Sequence, residues 1–515
     1  MSKTDIESES EKSAGWTSWL RPSRIPARGV LGILSFFGFF TNYMLRVNLN
    51  IAIVSMTAAP TNASWSQNKT LVLSECLANS SKHSSLADSQ EDEAEFDWDT
   101  RQQGLVLGSF YWSYIVIMVP GGMVAEKYGG KLVYGGGNLL LCLMALAIPV
   151  AARMHISALI LVRLIQGLAA GVTWPAMHVM ASQWFPPHER SKFVSTYMGN
   201  SVGIAVTYPL CGVLIDAFGW ESAFYVPGVL CLFWCVWWWF CAFDSPASHP
   251  RITKEELTYL DRNVVISKRK LKLPLKCILT SIPFWALVVA NVGTIWAFMT
   301  IITYGPTYLK MVHGLSIREN GLLSGLPNLS RFLGSLFFSW VIDSMITSKK
   351  MTITFARKLA TVIAQGIPAG LFFLMGNMGC NANMEVAVLT IASMISGSAS
   401  SGTLVNSVDL APNFSGSLLG LISIIGMSSG FVVPLVVGMI IRENQSMAQW
   451  RFVFIISAVL NVFTMIIFAI FGSGDVQSWN EPDVLKAQKK NRKILKVANE
   501  NDSSAAEPLK QSGVA

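Results

Sequence analysis

About twelve long apolar runs, separated by short charged or polar segments, constrain this chain more than any other feature of its sequence. Each is close to the roughly 20 residues that an α-helix needs to cross the hydrocarbon core of a bilayer. The runs cover residues 29–57, 102–124, 131–151, 156–183, 193–217, 221–243, 281–309, 316–344, 355–376, 384–407, 414–441 and 450–472. Only 14% of the residues are charged, whereas soluble domains have roughly 25%. The sequence therefore predicts an all-α membrane protein with about twelve transmembrane helices.

A basic linker divides the runs into two groups of six, which predicts two six-helix pseudo-repeats. The first run follows a polar segment and has no small-residue cleavage site at its end, so we interpret it as a retained helix and not a signal peptide. The expected parts are an N-terminal tail (1–28), a first bundle (29–244) with a large loop (58–101), the linker (245–280), a second bundle (281–472) and a C-terminal tail (473–515).

Lysine and arginine cluster in alternate loops, and the positive-inside rule assigns those loops and both termini to the cytosol. The first loop on the opposite side is acidic and holds three N-glycosylation sequons, and a fourth precedes the last run. The predicted glycosylation sites are Asn62, Asn68, Asn79 and Asn444. The net charge of +8 comes largely from the cytosolic loops and requires no nucleic-acid partner. Cys76 and Cys380 share the predicted non-cytosolic side, which we expect to be a coincidence and not a disulfide.

Arg46 interrupts the first apolar run, in the stretch SFFGFFTNYMLRVNLN. A charge at the centre of a bilayer costs roughly 3 kcal/mol on insertion scales, so such an arginine normally faces protein or a water-filled cavity. Its planar guanidinium suits recognition of a carboxylate or a phosphate. Helical spacing puts Phe39, Tyr43 and Asn50 on the same side, so they are expected to line a cavity with it. The alternative is a structural arginine bonded to carbonyls or to an acidic partner.

The segments after the second and eighth runs resemble one another weakly, with an acidic residue at a helix end followed by basic residues. Such repeats are typical of transporters that bind substrate near the membrane midplane, between two halves. The residues predicted to form a charged gate are Gly122, Glu126, Lys127, Lys131 and Asp343. The alternative for Glu126 and Lys127 is a solvated helix end.

The fourth run contains Arg163-Leu-Ile-Gln166-Gly167, the RxxQG pattern of the major facilitator superfamily, and the GGMVAEKYGGK loop adds to the resemblance. More specific strings are FFGFF (36–40), LRVNL (45–49), FDWD (96–99), GSFYWSY (108–114), GVTWPAMH (171–178), PPHERSK (186–192), DLAP (409–412) and GDVQSW (474–479). Over roughly residues 29–480, these strings are similar to the anion/cation symporter family that contains sialin, vesicular glutamate transporters and sodium-phosphate cotransporters.

The resemblance implies the major facilitator fold and a rocker-switch transporter that moves a small inorganic or organic anion together with a cation. It also implies that Arg46, Tyr114 and Tyr197 contact the anion, and it adds Asp409 to the gate. The superfamily role of the residue that matches Arg163 is structural or part of proton coupling. Substrate contact and helix-to-helix bonding therefore both stay open for Arg163.

Several residues depart from the family pattern. Sialin-like members have glutamates at the places of Gln166 and Ala170, and glutamate transporters have the second of these. Their absence here weakens proton coupling through the fourth helix. Glutamate transporters also have an arginine at the place of Thr294 and a histidine at that of Leu107, so vesicular glutamate transport is not expected.

Two further residues keep alternatives open. His178 could titrate near neutral pH and carry a proton, or it could be a hydrogen-bonded packing residue. Arg331, in the eighth run, could supply a second cation from the C-terminal half, or its side chain could extend to the end of the helix.

These observations predict an anion symporter, with inorganic phosphate coupled to sodium as the leading assignment and a proton-coupled organic acid as the alternative. An anion channel or sensor on the same scaffold is a third class. No constellation of catalytic residues, metal ligands or phosphate-binding loop stands out, so we expect no enzyme activity and no cofactor beyond a coupling Na⁺ or H⁺. Neither predicted cytosolic tail contains an acidic dileucine sorting signal, which favours the plasma membrane over the lysosome.

Overall fold

The computed structural model describes residues 26–57, 95–186, 193, 195–263, 273–441 and 446–480. Within these ranges, 12 helices are long and apolar enough to cross a membrane, which confirms the predicted all-α fold. They are α1 (Ala27–Met56), α2 (Thr100–Tyr128), α3 (Gly130–Met154), α4 (Ile156–Trp184), α5 (Thr196–Phe218), α6 (Ser222–Cys241), α7 (Ile282–His313), α8 (Ile317–Thr347), α9 (Ile353–Met375), α10 (Ala382–Leu410), α11 (Ser417–Ile440) and α12 (Met447–Phe471).

Three of these helices are interrupted within their length. The α-helical part of α4 breaks at Val172, α10 passes through a 3₁₀ turn at Gly397–Ser400, and α11 breaks at Ser428. Short 3₁₀ segments inside a helix often mark a change of direction or a functional hinge. The apolar runs predicted the number of helices but not these breaks.

The two ends of the bundle differ in the charge of their loops. We call the end at which α1 ends and α2 begins the acidic-loop end, and the opposite end the basic-loop end. At the basic-loop end, a linker helix (Lys254–Asn263) lies against the start of α1. The carboxylate of Glu256 accepts hydrogen bonds from the backbone N–H of Ala27 and of Arg28, at 3.1 and 3.2 Å. A linker carboxylate thus occupies the positive end of a helix dipole.

The turn between α2 and α3 is tight and depends on glycine. Gly129 has φ of 96°, and a Cβ placed there would lie 2.7 Å from a carboxylate oxygen of Asp244. That same oxygen accepts the backbone N–H of Lys131 at 2.8 Å. Asp244, which follows α6, therefore binds the N-terminus of α3.

The first six and the last six helices pack closely at the acidic-loop end. A Cβ added to Gly212 on α5 would lie 2.9 Å from the Cα of Gly321 on α8. A Cβ added to Gly104 on α2 would also lie 2.9 Å from the carbonyl oxygen of Pro434 on α11. Small residues permit such direct backbone contact between membrane helices.

A carbonyl group of α7 joins three helices at the same end. Pro306 has no N–H, so the carbonyl of Ile302, four residues earlier, lacks its normal helical donor. That carbonyl instead accepts a hydrogen bond from the side-chain amide of Asn50 on α1, at 3.1 Å, and one from the hydroxyl of Tyr208 on α5. We call this contact between the two groups of six helices the Ile302 junction.

The expectation about the cysteines is wrong at one position. Cys380 is disulfide-bonded, and the other six cysteines of the described ranges are free thiols. The remaining cysteine of the chain, Cys76, lies outside the described residues, as do the four predicted glycosylation sites. A disulfide at Cys380 agrees with an oxidising environment at the acidic-loop end.

Candidate functional site

Arg46 lies in the interior of the bundle, inside a cage of aromatic rings. Only 3% of the residue is exposed. The distances from its guanidinium carbon to the ring centroids are 5.0 Å for Tyr43, 5.2 Å for Phe110, 4.7 Å for Tyr111 and 4.9 Å for Tyr114. Each ring presents partial negative charge from its π-system, so four cation–π contacts offset part of the cost of burying the cation.

The guanidinium of Arg46 has few polar partners. Its Nε donates to the Tyr111 hydroxyl at 3.4 Å, and its Nη2 lies 3.9 Å from the Met427 sulfur on α11. No carboxylate of the described residues forms an ion pair with it. Since a guanidinium has five N–H donors, the group keeps donors for a bound anion.

The cage follows from the sequence of α2. Phe110, Tyr111 and Tyr114 come from the string GSFYWSY, at spacings of three and four residues that share one side of a helix. The rings of Phe110 and Tyr114 stack with centroids 5.9 Å apart. Tyr43 precedes Arg46 by three residues on α1. The aromatic side of α2 thus faces the charged side of α1.

Arg163 is a second buried arginine beside the cage. It is 1% exposed, and its guanidinium carbon lies 4.9 Å from the centroid of Phe110, the ring that also faces Arg46. Its Nη1 donates to the side-chain oxygen of Gln166 at 2.9 Å. Its Nε is buried without a hydrogen-bond partner. Arg163 therefore has a neutral acceptor, the side-chain amide of Gln166.

The glycines of the RxxQG segment explain how Arg163 reaches Phe110. A Cβ on Gly167 would lie 2.0 Å from the carbonyl oxygen of Phe110, and one on Gly171 would lie 2.7 Å from that of Tyr114. Glycines four residues apart thus allow the backbone of α4 to touch that of α2. The motif brings two helices together, and this contact places the two arginines around one ring.

Arg331 supplies a guanidinium from the C-terminal six helices. It is half-buried near the middle of α8, and its guanidinium carbon lies 4.0 Å from the centroid of Phe298 on α7. It also interacts electrostatically with Tyr43, a member of the Arg46 cage. Arg46 and Arg331 therefore both interact with Tyr43, Arg46 through a cation–π contact and Arg331 through a longer-range electrostatic interaction.

Comparison with known proteins agrees with this architecture. The family model described as Major Facilitator Superfamily matches residues 33–434. The chain belongs to the major facilitator superfamily. Human sialin is 36% identical over 88% of this chain and 90% of its own length, and sheep sialin is 37% identical with the same coverage, 88% and 90%. Vesicular glutamate transporter 1 of Xenopus laevis is 33% identical over 90% of this chain and 78% of its own length. The branch is therefore the anion/cation symporter family of sialin and the vesicular glutamate transporters.

Solved structures share the fold of this transporter at low sequence identity. A bacterial homologue of the human lysosomal transporter Spinster, in an inward-facing conformation, is 14% identical with a TM-score of 0.60, covering 87% of this chain and 97% of that one. A D-xylose-proton symporter is also 14% identical, with a TM-score of 0.60 and coverages of 87% and 99%. As a member of this family, the protein is a secondary transporter of anions and not an enzyme, and transporters of this kind need no cofactor.

Two residues predicted to line the cavity with Arg46 lie elsewhere in the transporter. Phe39 packs in a separate aromatic cluster, with its ring centroid 4.6 Å from that of Tyr197 and 5.1 Å from that of Trp174. His178 belongs to the same cluster, 5.2 Å from Tyr197 between ring centroids. Asn50 takes part in the Ile302 junction. Of the predicted lining residues, Tyr43 and Tyr114 are those in contact with Arg46.

The N-terminal gate residues lie at the surface of the basic-loop end. Glu126 and Lys127 are exposed, and the Lys127 ammonium nitrogen lies 5.1 Å from the Tyr128 ring centroid. Lys131 uses its backbone N–H to bind Asp244, while its ammonium group lies over a neighbouring phenylalanine. A Cβ added to Gly122 would lie 3.5 Å from the Cβ of Pro175, which is an ordinary van der Waals distance. The residue that sequence analysis missed here is Asp244.

The two residues predicted to form the gate in the C-terminal half, Asp343 and Asp409, have different surroundings. Asp343 is exposed at the end of α8. Asp409 accepts a hydrogen bond from Nε of Arg357 at 2.6 Å, and Nη1 of Arg357 donates to the carbonyl of Ser401 at 2.8 Å. Arg357 had counted only as one of several basic loop residues. Its position at the start of α9, opposite the end of α10, could not be read from the sequence.

Proposed function

We propose that this transporter moves a carboxylate-bearing organic anion by alternating access, and that Arg46 provides the positive charge that binds it. The observation that carries the proposal is a buried guanidinium without a carboxylate partner in the described ranges. Unpaired charges are not normally kept in a protein interior, so a ligand is the expected counter-charge.

The surroundings of Arg46 favour a carboxylate attached to an apolar or ring-shaped body. A guanidinium binds a planar carboxylate through two parallel hydrogen bonds, which gives both affinity and orientation. The four rings of the cage offer an apolar surface to the rest of such a molecule. Sialin and the vesicular glutamate transporters among the relatives support an organic anion as substrate.

Inorganic phosphate coupled to sodium is the second candidate. Gln166 and Ala170 replace the glutamates that sialin-like members have in α4, which argues against the usual proton-linked carboxylate. Arg331 near Tyr43 would give a multiply charged anion a second guanidinium from the opposite half. The two candidates differ in both anion and cation, so one uptake experiment distinguishes them.

The packing at the two ends supports a mechanism for access. The glycine contacts and the Ile302 junction hold the halves together at the acidic-loop end. In the alternating-access cycle, we infer that this end separates while charged contacts close the basic-loop end, with the anion site between them. Glu126, Lys127, Lys131 and Asp409 are the proposed basic-loop gate residues.

The test is uptake by purified protein in proteoliposomes, with labelled sialate, urate, small dicarboxylates and phosphate under separate proton, sodium and voltage gradients. We expect saturable uptake of an organic anion that Arg46→Ala abolishes. Arg318→Ala is the matched control because it removes an exposed guanidinium from α8. Sodium-driven phosphate uptake would establish the second candidate instead.

Two other outcomes would reject a coupled transporter. Flux without saturation or counterflow would indicate a channel, and binding of the labelled anion without flux would indicate a sensor. Equal uptake by wild-type protein and Arg46→Ala would reject the proposed role of Arg46.

The predicted topology and location are also part of the proposal. Both termini are proposed to be cytosolic, and the plasma membrane is proposed over the lysosome because neither tail contains an acidic dileucine signal. The word vesicular in the names of several relatives favours the alternative of an intracellular membrane. Epitope tags at each terminus, with and without permeabilisation of the plasma membrane, test both statements, and glycosidase treatment tests Asn62, Asn68, Asn79 and Asn444.

A further inference from the structure

A buried cluster of titratable side chains lies at the acidic-loop end, in the C-terminal six helices. Glu385 is in the first turn of α10 and is fully buried, at 0% exposure. Its Oε2 accepts a hydrogen bond from the hydroxyl of Tyr308 and lies 2.8 Å from Nε2 of His313, the last residue of α7. Its Oε1 is also buried and has no hydrogen-bond partner. Sequence analysis did not single out any of these three residues.

The other side chains around the cluster are mostly aromatic. Trp450 and Phe454 of α12 pack on Tyr308, with ring centroids 5.1 and 5.2 Å away. Charged groups at this end of the neighbouring helices are at the surface or half-buried, whereas Glu385 is fully buried. These are Lys310 on α7, half-buried, Arg318 and Glu319 on α8, both exposed, and Arg451 on α12, exposed. Glu319 bonds to Ser316, and Arg451 packs on Gly376.

His313 is therefore the one group in the described part of the chain that can balance the charge of Glu385. With one proton shared by the histidine and the carboxylate, the cluster is neutral overall. Without that proton, a carboxylate is left in an apolar interior with only hydrogen bonds from neutral groups. An unpaired buried charge of this kind costs several kcal/mol.

Both hydrogen-bond partners of Glu385 lie on α7, beyond the Ile302 junction. Tyr308 follows Ile302 by six residues, about 9 Å along a helix, and Pro306 lies between them. The segment of α7 from Pro306 to His313 is thus held at one end by the junction with α1 and α5, and at the other by Glu385 of α10. A change in the attraction between α7 and α10 acts directly on the helix that closes this end.

We propose that Glu385 and His313 form the proton-binding site through which this transporter couples proton movement to anion transport. The inference rests on the proposed function and names its coupling ion. The proton enters from the acidic-loop end while that end is open, stabilises the contact of α7 with α10, and leaves toward the basic-loop end after that end has opened. Its loss weakens that contact and favours separation of the Ile302 junction. The site replaces the carboxylate that is missing from α4 at Gln166.

The first test compares two transport modes of Glu385→Gln in proteoliposomes, with labelled sialate as probe. Counterflow exchanges labelled for unlabelled anion and needs no net proton movement, whereas uptake driven by a pH gradient does. We expect gradient-driven uptake to fall about tenfold while counterflow stays within about twofold of wild type. Unchanged gradient-driven uptake in this variant would overturn the proposal.

Tyr308→Phe is the matched control. It removes a hydrogen bond to the same carboxylate oxygen but leaves the histidine and the carboxylate in place. Gradient-driven uptake should persist in this variant. If it is lost to the same extent as in Glu385→Gln, the cluster is only structural. His313→Asn keeps a donor for Glu385 without the titrating ring, so it serves the same test if Glu385→Gln does not fold.

A second measurement does not depend on the substrate. As pH rises and the shared proton is lost, the wild type should lose thermal stability because the buried carboxylate of Glu385 loses its counter-charge. In Glu385→Gln the sign should reverse, since protonation of a buried histidine without a carboxylate is unfavourable. Failure of sialate transport with this reversal present would reject the proposed substrate only. An identical pH response of both proteins would reject the proton site.

Discussion

Two buried arginines of this transporter, Arg46 and Arg357, have opposite kinds of neighbours. Arg357, at the basic-loop end, is 6% exposed and donates to the carboxylate of Asp409 at 2.6 Å. Arg46, in the interior, is 3% exposed and is surrounded by four aromatic rings, with no ion pair to a carboxylate of the described residues. The same side chain therefore meets a fixed anion at one site, and aromatic rings with neutral hydrogen-bond partners at the other.

This difference is the reason for proposing that Arg46 binds the anion, whereas Arg357 makes a contact within the protein. In the Arg357 pair the charges compensate each other within the protein, and the contact ties the start of α9 to the end of α10. At Arg46 the cation–π contacts contribute about 2 kcal/mol or somewhat more each when desolvated, but they use none of the N–H donors. Because only Nε donates to an oxygen, the Tyr111 hydroxyl, and Nη2 lies near the Met427 sulfur, the guanidinium keeps N–H donors for an anion.

The largest expected effect is the loss of transport in Arg46→Met. The methionine keeps much of the side-chain volume and removes the charge. We expect a fall of anion uptake of roughly 30-fold or more, since removing one partner of a buried charge pair costs about 2–5 kcal/mol. The melting temperature should stay the same or rise because an unpaired buried charge is removed. A clear loss of stability would show that Arg46 is structural, and the contrast between Arg46 and Arg357 would no longer hold.

For Arg357→Gln we expect the opposite of Arg46→Met, with a loss of stability as the main effect. The free energy of unfolding should fall by about 2 kcal/mol, less than for a fully buried pair because the Asp409 side chain is 17% exposed. Thermal unfolding in detergent measures this change. Exchange of the two residues, in Arg357→Asp with Asp409→Arg, should recover part of the loss. If the exchange recovers none of the lost stability, the important partner of Arg357 is the carbonyl of Ser401 and not the carboxylate of Asp409.

Phe110→Leu tests the ring that lies beside both Arg46 and Arg163. Loss of one cation–π contact costs about 0.5–2 kcal/mol, so we expect KM for the anion to rise about threefold to tenfold. Phe233→Leu on α6, where the ring is 64% exposed, is the control and should leave KM unchanged. An unaltered KM in Phe110→Leu would mean that the remaining three rings are sufficient.

The smallest effect is expected for an exposed arginine with carboxylate partners. Arg153 donates to Glu95 at 2.7 Å, and this hydrogen bond holds the pKa of Glu95 below its ordinary value. Glu95 therefore contributes stability above its unfolded pKa of about 4.3, and the contribution is lost as the pH falls through the lower folded pKa. Melting temperatures of wild type and Glu95→Gln should differ slightly at pH 7 and converge in acid. A difference in melting temperature that grows in acid would contradict this small contribution of Glu95.

Much of the fold could be predicted from the sequence because the bilayer imposes a length and an apolar composition on every spanning helix. All 12 helices lie where apolar runs predicted them, although α7 extends to His313, beyond the expected end at residue 309. The breaks in α4, α10 and α11 did not follow from hydropathy, since a change of helix direction depends on the helices packed around it.

The candidate site was predicted in part. Arg46 could be singled out because a charge in an apolar helix requires a reason, and its role in anion binding stays a prediction. Tyr43 and Tyr114 lie against it, and their contact with an anion stays a prediction. Phe39 and Asn50 share its helix but not its surroundings, because α1 is long and has different neighbours along its length. At Phe39 the neighbours are the aromatic residues of α3, α4 and α5, and at Asn50 they are Tyr208 and α7.

The sequence by itself determined that this chain crosses a membrane and that its first helix contains a cation. Each follows from a property of single residues or of residues one or two helical turns apart. The tertiary structure alone decided which charges meet. Arg357 and Asp409 are 52 residues apart, and His313 and Glu385 are 72 apart. Their pairing depends on how α7, α9 and α10 pack, and no local pattern in the chain encodes that arrangement.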